Sequence, residues 1–241
     1  MIQPPLVDER LGLPSASGMP RLLGTKEEPG CLGSFLFEKR LKDPSKKTAA
    51  NRGTKIHAVM HGMVPFDSLS HSDKICAERL AFEEARLVEE FGMEGATQIK
   101  EERLWLEEDG TKIFSGQPDV IHLNPSKALI VNFKTGFYEP EPIQENAQML
   151  AEAVLTSNEY MMPQELTVAL IHPNVTVAGK ISQTHTYQSE YLIYEAWPKL
   201  SSVAQAAMKP DAPRNPSRSA CNFCLGKKTK TCPEWLEWSN S

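Results

Sequence analysis

Between residues 98 and 133 the hydrophobic period of the chain changes, and this change restricts the fold more than any other feature of the sequence. Upstream, over residues 72–91, Ala77, Leu80, Ala81, Leu87, Val88 and Phe91 recur at helical spacing until Gly92. Downstream, residues 98–106, 112–123 and 128–133 are short β-rich segments separated by the turn signals Asp109-Gly110 and Asn124-Pro125, which predicts a three-stranded antiparallel meander. The helical period returns over 142–157, where Ile143, Ala147, Leu150, Ala151 and Val154 form one stripe. Two further strands are expected at 165–172 and 180–187, and helices at 31–42, 49–62 and 189–208. Helices, a meander, a crossover helix and more strands predict an α/β fold in which helices flank a central mixed sheet.

Residues 1–22 read as an irregular arm and 23–241 as a single domain, since no repeat or linker divides them. No apolar run approaches the roughly 18 to 20 residues of a membrane span, and the first thirty residues lack the basic start and apolar stretch of a secretory signal. The expectation is an intracellular, cytoplasmic protein without membrane association, whose five cysteines are more often metal ligands or core residues than disulfides. With 26 basic and 31 acidic residues the net charge is −5, so no global attraction to nucleic acid exists. Local basic patches do: residues 39–55 read KRLKDPSKKTAANRGTK, and GKKTK lies between two cysteines. Either can hold a phosphate backbone or be a solvated face.

Chemistry concentrates in Gly116-Gln117-Pro118-Asp119 and in Asn132-Phe133-Lys134-Thr135-Gly136. Strand side chains alternate, so Asn132 and Lys134 share a face that Asp119 can reach from the preceding strand. A carboxylate, a second oxygen and a lysine at one strand end can hold a hard divalent cation beside a phosphate. The same residues also suit an ordinary surface salt bridge between Lys134 and Asp119. His57 and His61 are spaced as in zinc peptidases, but no glutamate lies between them to act as base. His61, His71, His122, His172 and His185 are expected to be structural or surface histidines.

Four cysteines, Cys31 and Cys221-x2-Cys224-x7-Cys232, can satisfy an iron-sulfur cluster or a tetrahedral zinc ion. Cys76 falls near the apolar stripe of its helix and reads as core.

In these motifs and their order the sequence resembles the PD-(D/E)xK nuclease superfamily, in particular its RecB-like exonuclease branch, including CRISPR-associated iron-sulfur exonucleases. GQPD is similar to the branch's G-x-x-D, NFKTG to D/E-x-K-T-G, and Gly53-Thr54-Lys55-Ile56-His57 to its G-x-x-x-H. Gln148 matches the start of Q-x-x-x-Y, with Glu152 at the tyrosine position. The resemblance covers about Cys31 to Cys232 and implies a restriction-endonuclease-like core. It implies Mg or Mn held by His57, Asp119, Asn132 and the Phe133 carbonyl, with Lys134 orienting the attacking water and Gln148 positioning the strand. It further implies a 4Fe-4S cluster on Cys31, Cys221, Cys224 and Cys232, in which residue 31 and residues 214–232 staple the chain ends. The implied substrate is DNA, single-stranded or with free ends, and a protein partner in recombination or CRISPR adaptation is compatible with it.

Asn132 departs from the family's Asp or Glu and brings no negative charge. Such an asparagine suits a weakened enzyme, a deliberately silenced one or a natural pseudo-enzyme. Glu152 and Glu102, the latter on the first strand of the meander, are the candidates to replace the missing carboxylate, and for Glu152 a solvent-facing glutamate is the plainer expectation. The function expected is a metal-dependent DNA exonuclease. Its alternatives are an inactive nuclease-fold protein that binds DNA or a partner, and a zinc-stapled interaction module.

Overall fold

The computed structural model describes residues 9–43, 48–160 and 164–239. Within the segment expected to be an irregular arm, residues 1–8 lie outside the described residues, and a 3-10 turn at Ala16–Gly18 runs into helix α1, Met19–Leu23. Pro20 suits the start of α1 because an N–H there has no helical acceptor, and Met19 and Leu22 are buried.

Of the helix expected at 31–42, only Ser34–Glu38 forms, as α2. Gly33 is held instead by the C-terminal segment: its N–H donates to the Pro213 carbonyl at 2.8 Å, and a Cβ there would meet the Ala212 carbonyl at 2.3 Å. Helix α3, Thr48–Met60, follows. Residues 44–47 of the basic segment lie outside the described residues. Helix α4, His71–Glu90, starts at Ser70, whose hydroxyl accepts from the Asp73 N–H.

The expected meander is corrected. Its first two strands each break in the middle, giving β1 (Thr97–Lys100), β2 (Leu104–Glu108), β3 (Thr111–Gly116) and β4 (Val120–Leu123) before β5 (Lys127–Phe133). β1 and β4 pair in the main sheet while β2 and β3 form a separate hairpin. The two breaks face one another: Pro118 has no N–H to offer a ladder, and opposite it Glu101 takes a left-handed backbone with φ 52°.

After a 3-10 turn at Ile143–Glu145, helix α5 (Ala147–Glu159) is capped by Asn146. β6 (Glu165–Ile171) lies parallel to β5, and β7 (Ser182–Gln188) antiparallel to β6. The main sheet has the order β1-β4-β5-β6-β7. The next helix is interrupted, with α6 (Ser189–Tyr191) passing through a π turn at Leu192–Ala196 into α7 (Trp197–Ala207). Pro198 explains the wider turn, because its ring crowds the preceding carbonyls and it lacks an N–H. The cysteine-rich tail folds into α8 (Arg218–Cys221), α9 (Leu225–Lys228) and α10 (Pro233–Ser239).

The sheet is buried on both faces. Ala128 and Ile130 of β5 pack with α1, α5 and α7, whereas Leu129, Val131 and Phe133 pack with α3 and α4. Among the described residues no helix is long and apolar enough to cross a membrane.

Candidate active site

Strand register assembles the first half of the site. The last pairs are Lys100 with Val120 and Val120 with Val131, so one step further Glu101, Asp119 and Asn132 stand level across three strands. Asp119, only 7% exposed, accepts the Phe133 N–H on Oδ2 at 2.6 Å and has Oδ1 3.0 Å from Nδ1 of His57. His57 projects from α3 and meets the Phe133 ring edge-on, with centroids 5.8 Å apart. One turn later His61, its side chain 1% exposed, has Nε2 3.0 Å from Glu101 Oε1.

Ligand atoms from His57, His61, Glu101 and Asp119 all lie within 4.8 Å of one another, beside an open cavity of about 530 Å³ also lined by Gly53 and Gln117. Despite the closeness of Glu101, among the described residues neither ring nitrogen of the buried His61 has a partner in hydrogen-bonding geometry, a deficit that a coordinated cation would relieve. Two imidazoles and two carboxylates suit a divalent cation, so these residues fit one. Burial opposes charge on His57, but the hydrogen bond from the ring to Asp119 and the charges of Asp119 and Glu101 outweigh it and hold the pKa above its usual value.

His61, expected to be a structural or surface histidine, stands in this group, and so does Glu101, which sequence reasoning did not single out. Glu102, one of the two proposed replacements for the missing acid, accepts instead from the Tyr160 hydroxyl at 3.0 Å. The other expected structural histidines stay outside the site: His71 is exposed, His122 pairs with Glu84 at 2.9 Å, His172 bonds the Val175 carbonyl, and His185 packs on Tyr187.

The second half of the site joins β5 to α5. Lys134 Nζ donates to Gln148 Oε1 at 3.0 Å, Gln148 Nε2 donates to Glu152 Oε1 at 2.9 Å, and Asn132 Nδ2 donates to Glu152 Oε2. Gln148 and Glu152 can act together because residues four apart share a helix face. Glu152 is not the solvent-facing residue that its position suggested; it is 1% exposed. Burial pushes its carboxyl up to about 7, against the opposing effects of the Gln148 hydrogen bond, the Lys134 charge and the Asn132 hydrogen bond. Gly116 allows this packing, since a Cβ there would come within 2.5 Å of Leu155 and 3.6 Å of Glu152. The structure thus brings Asp119, Asn132, Phe133, Lys134, Gln148 and His57 to one end of the sheet.

The cysteines form a separate cluster. Cys31, Cys221, Cys224 and Cys232 are all reduced and buried and line one small cavity with Phe37 and Trp235. Burial raises the thiols of Cys31 and Cys232. Zinc-sulfur bonds of about 2.3 Å would set sulfurs about 3.8 Å apart. Among the described residues, the group of His, Cys, Asp or Glu ligand atoms that lies within 4.8 Å is the His57 group. Cys76, on α4, lies in the core.

The profile of the PD-(D/E)XK nuclease superfamily matches residues 30–229. Among solved structures the chain is similar to a candidate exonuclease from Eubacterium rectale, at 15% identity over 92% of this chain and 89% of that one, with a TM-score of 0.54. It is more distantly similar to the alkaline exonuclease LHK-Exo from Laribacter hongkongensis, at 13% identity over 82% and 89% of the two chains, with a TM-score of 0.39. No curated protein matches the chain. At these identities the first likeness bears on the fold, an α/β core with a mixed central sheet flanked by helices, as in restriction endonucleases. With its profile matched over residues 30–229, the chain belongs to the PD-(D/E)XK nuclease superfamily.

Proposed function

We propose that the protein is a divalent-metal-dependent deoxyribonuclease that degrades DNA from free ends, with Glu152 supplying the acid that Asn132 lacks. The observation that carries this reading is the convergence of His57, His61, Glu101 and Asp119 within 4.8 Å, at the sheet end where Lys134 stands. Mg or Mn held by these side chains supplies Lewis acidity toward water and toward a phosphate oxygen. Asp119 orients the site by holding His57 on one oxygen and the β5 backbone on the other. Lys134, steadied by Gln148, offers an ammonium to the phosphate as it gains charge. Water oxygen bonds to phosphorus and sheds a proton, the phosphodiester P–O bond to the leaving strand breaks, and the leaving oxygen takes up a proton through solvent, so that the two balance. Asn132 contributes a neutral oxygen, and its amide nitrogen fixes the Glu152 carboxylate. That contact argues against a silenced nuclease, because a carboxyl group stands one helix away.

In the same proposal Cys31, Cys221, Cys224 and Cys232 carry a 4Fe-4S cluster, a reading supported by their shared cavity. Such a cluster joins α2 to the C-terminal tail and stabilises the fold without entering the hydrolysis. Cys224→Ser is expected to bleach the visible absorbance of anaerobically purified protein and to lower its melting temperature. A colourless wild type with stoichiometric zinc would replace the cluster by a zinc staple.

The decisive test of the nuclease reading is degradation of end-labelled DNA with Mg or Mn and with EDTA. Cleavage is expected only with metal, and Asp119→Ala is expected to lose at least about a hundredfold. Cleavage that persists in EDTA, or that Asp119→Ala leaves unchanged, would remove the assignment.

A further inference from the structure

Three large aromatic side chains stand in solvent beside the site: Phe137 at 71% exposure, Tyr138 at 82% and Phe223 at 61%. Phe137 and Tyr138 lie just after Lys134, in the loop that leaves β5, whereas Phe223 lies between Cys221 and Cys224. Two distant segments therefore bring rings together, with Tyr138 and Phe223 edge to face at 6.4 Å.

The loop bearing two of these rings is anchored. The Thr135 carbonyl accepts from Arg52 Nη1 at 2.9 Å and from Asn174 Nδ2 at 2.8 Å, and the Arg52 guanidinium lies over the Phe137 ring at 5.5 Å. Isolated exposed apolar residues are ordinary, but grouped and positioned rings mark a contact surface. Arg52, itself paired with Asp73, lies against Phe137, Lys228 and Lys230 are exposed on the tail that carries Phe223, and the exposed Glu139 and Glu141 follow Tyr138.

Cations interleaved with solvent-facing rings suit a polyanion whose bases can stack. A duplex hides its base faces, whereas a single strand offers one with every nucleotide. We propose that Phe137, Tyr138 and Phe223 form a stacking platform for unpaired nucleobases, which makes single-stranded DNA ends the substrate class of this site. The inference rests on the nuclease reading and adds the residues that select the form of the nucleic acid. It also gives the cysteine segment a second task, since the fold around Cys221 and Cys224 places Phe223 opposite Tyr138.

The test is equilibrium binding in EDTA, which prevents cleavage, of a fluorescent oligothymidylate and a blunt-ended duplex to the full chain. Tyr138→Ala combined with Phe223→Ala is expected to weaken oligothymidylate binding about tenfold or more, while duplex binding shifts by less than about threefold. Tyr138→Trp, which keeps a stacking ring, is expected to retain the affinity. Equal losses on both substrates, or unchanged binding of the single strand, would overturn the platform; the latter would leave the patch to a protein partner. Loss of affinity in Tyr138→Trp equal to that of an alanine variant would overturn it as well. Metal-dependent cleavage by a wild type whose platform variants bind normally sinks this inference alone, whereas a wild type that neither binds nor cuts DNA sinks the nuclease reading with it.

Discussion

Lys134→Ala is expected to slow DNA cleavage by about 10²- to 10³-fold, the range seen when one fixed stabiliser of developing charge is removed. Lys134 is not interchangeable with the other basic residues of the chain. It follows Asn132 by one pleat, one residue beyond the end of β5, and its ammonium is held by the Gln148 carbonyl oxygen at 3.0 Å. A charge held in place before reaction costs no reorganisation as the phosphate becomes more negative, which is why position matters more than net basicity. Lys134→Arg is expected to recover only part of the rate, because the planar guanidinium cannot present a point charge from the same Gln148 contact. Gln148→Ala should have a smaller effect, about tenfold, since it frees the lysine without removing it. Single-turnover cleavage at saturating metal separates these from binding effects. A Lys134→Ala rate within about threefold of wild type would show that the charge acts elsewhere.

Some of this site can be read directly from residue order. The alternation of β5 places Asn132 and Lys134 on one face with no knowledge of the partners of the strand, and the stripe of α5 is equally local. Glu101 is invisible for the opposite reason. It reaches the site only because two strands break opposite one another, and its level with Asp119 depends on a register that no local pattern encodes. Pro118 is the available sign of that break, but it marks only one of the two strands. His61 has a clearer signal in its i, i+4 spacing from His57. The absence of a glutamate between them is a poor reason to discount it, since Glu101 arrives from another element. Glu152 shows the limit of amphipathic reasoning: a polar stripe on a helix usually meets solvent, yet here it meets the open end of a sheet. Gly116 is legible as part of a motif, but its physical reason, the close approach of Leu155 and Glu152, emerges only in the packed structure.

Glu152→Gln is expected to give the second large effect, a loss of about a hundredfold or more in metal-dependent cleavage together with a more stable apo-protein at pH 8. The two changes have one cause. Burial raises the Glu152 carboxyl from 4.5 to about 7, so between these values the folded chain holds a proton that the unfolded chain releases. Stability consequently falls as pH rises through that window, by on the order of 3 kcal/mol for this group. Glutamine carries no such charge, and its variant should melt higher than wild type in EDTA at pH 8 while matching it near pH 4. Asn132→Asp alone should be harmful in the absence of metal, because it turns the donor facing Glu152 into a second carboxylate. Combining Asn132→Asp with Glu152→Gln reverses the bond, the new amide on α5 donating to the new carboxylate on β5, and restores one acid to the site. The double variant is expected to cleave at least about tenfold faster than Glu152→Gln alone, a coupling that independent sites would not show. If Glu152→Gln cuts as fast as wild type, the acid comes from another residue, and the raised carboxyl belongs to packing alone.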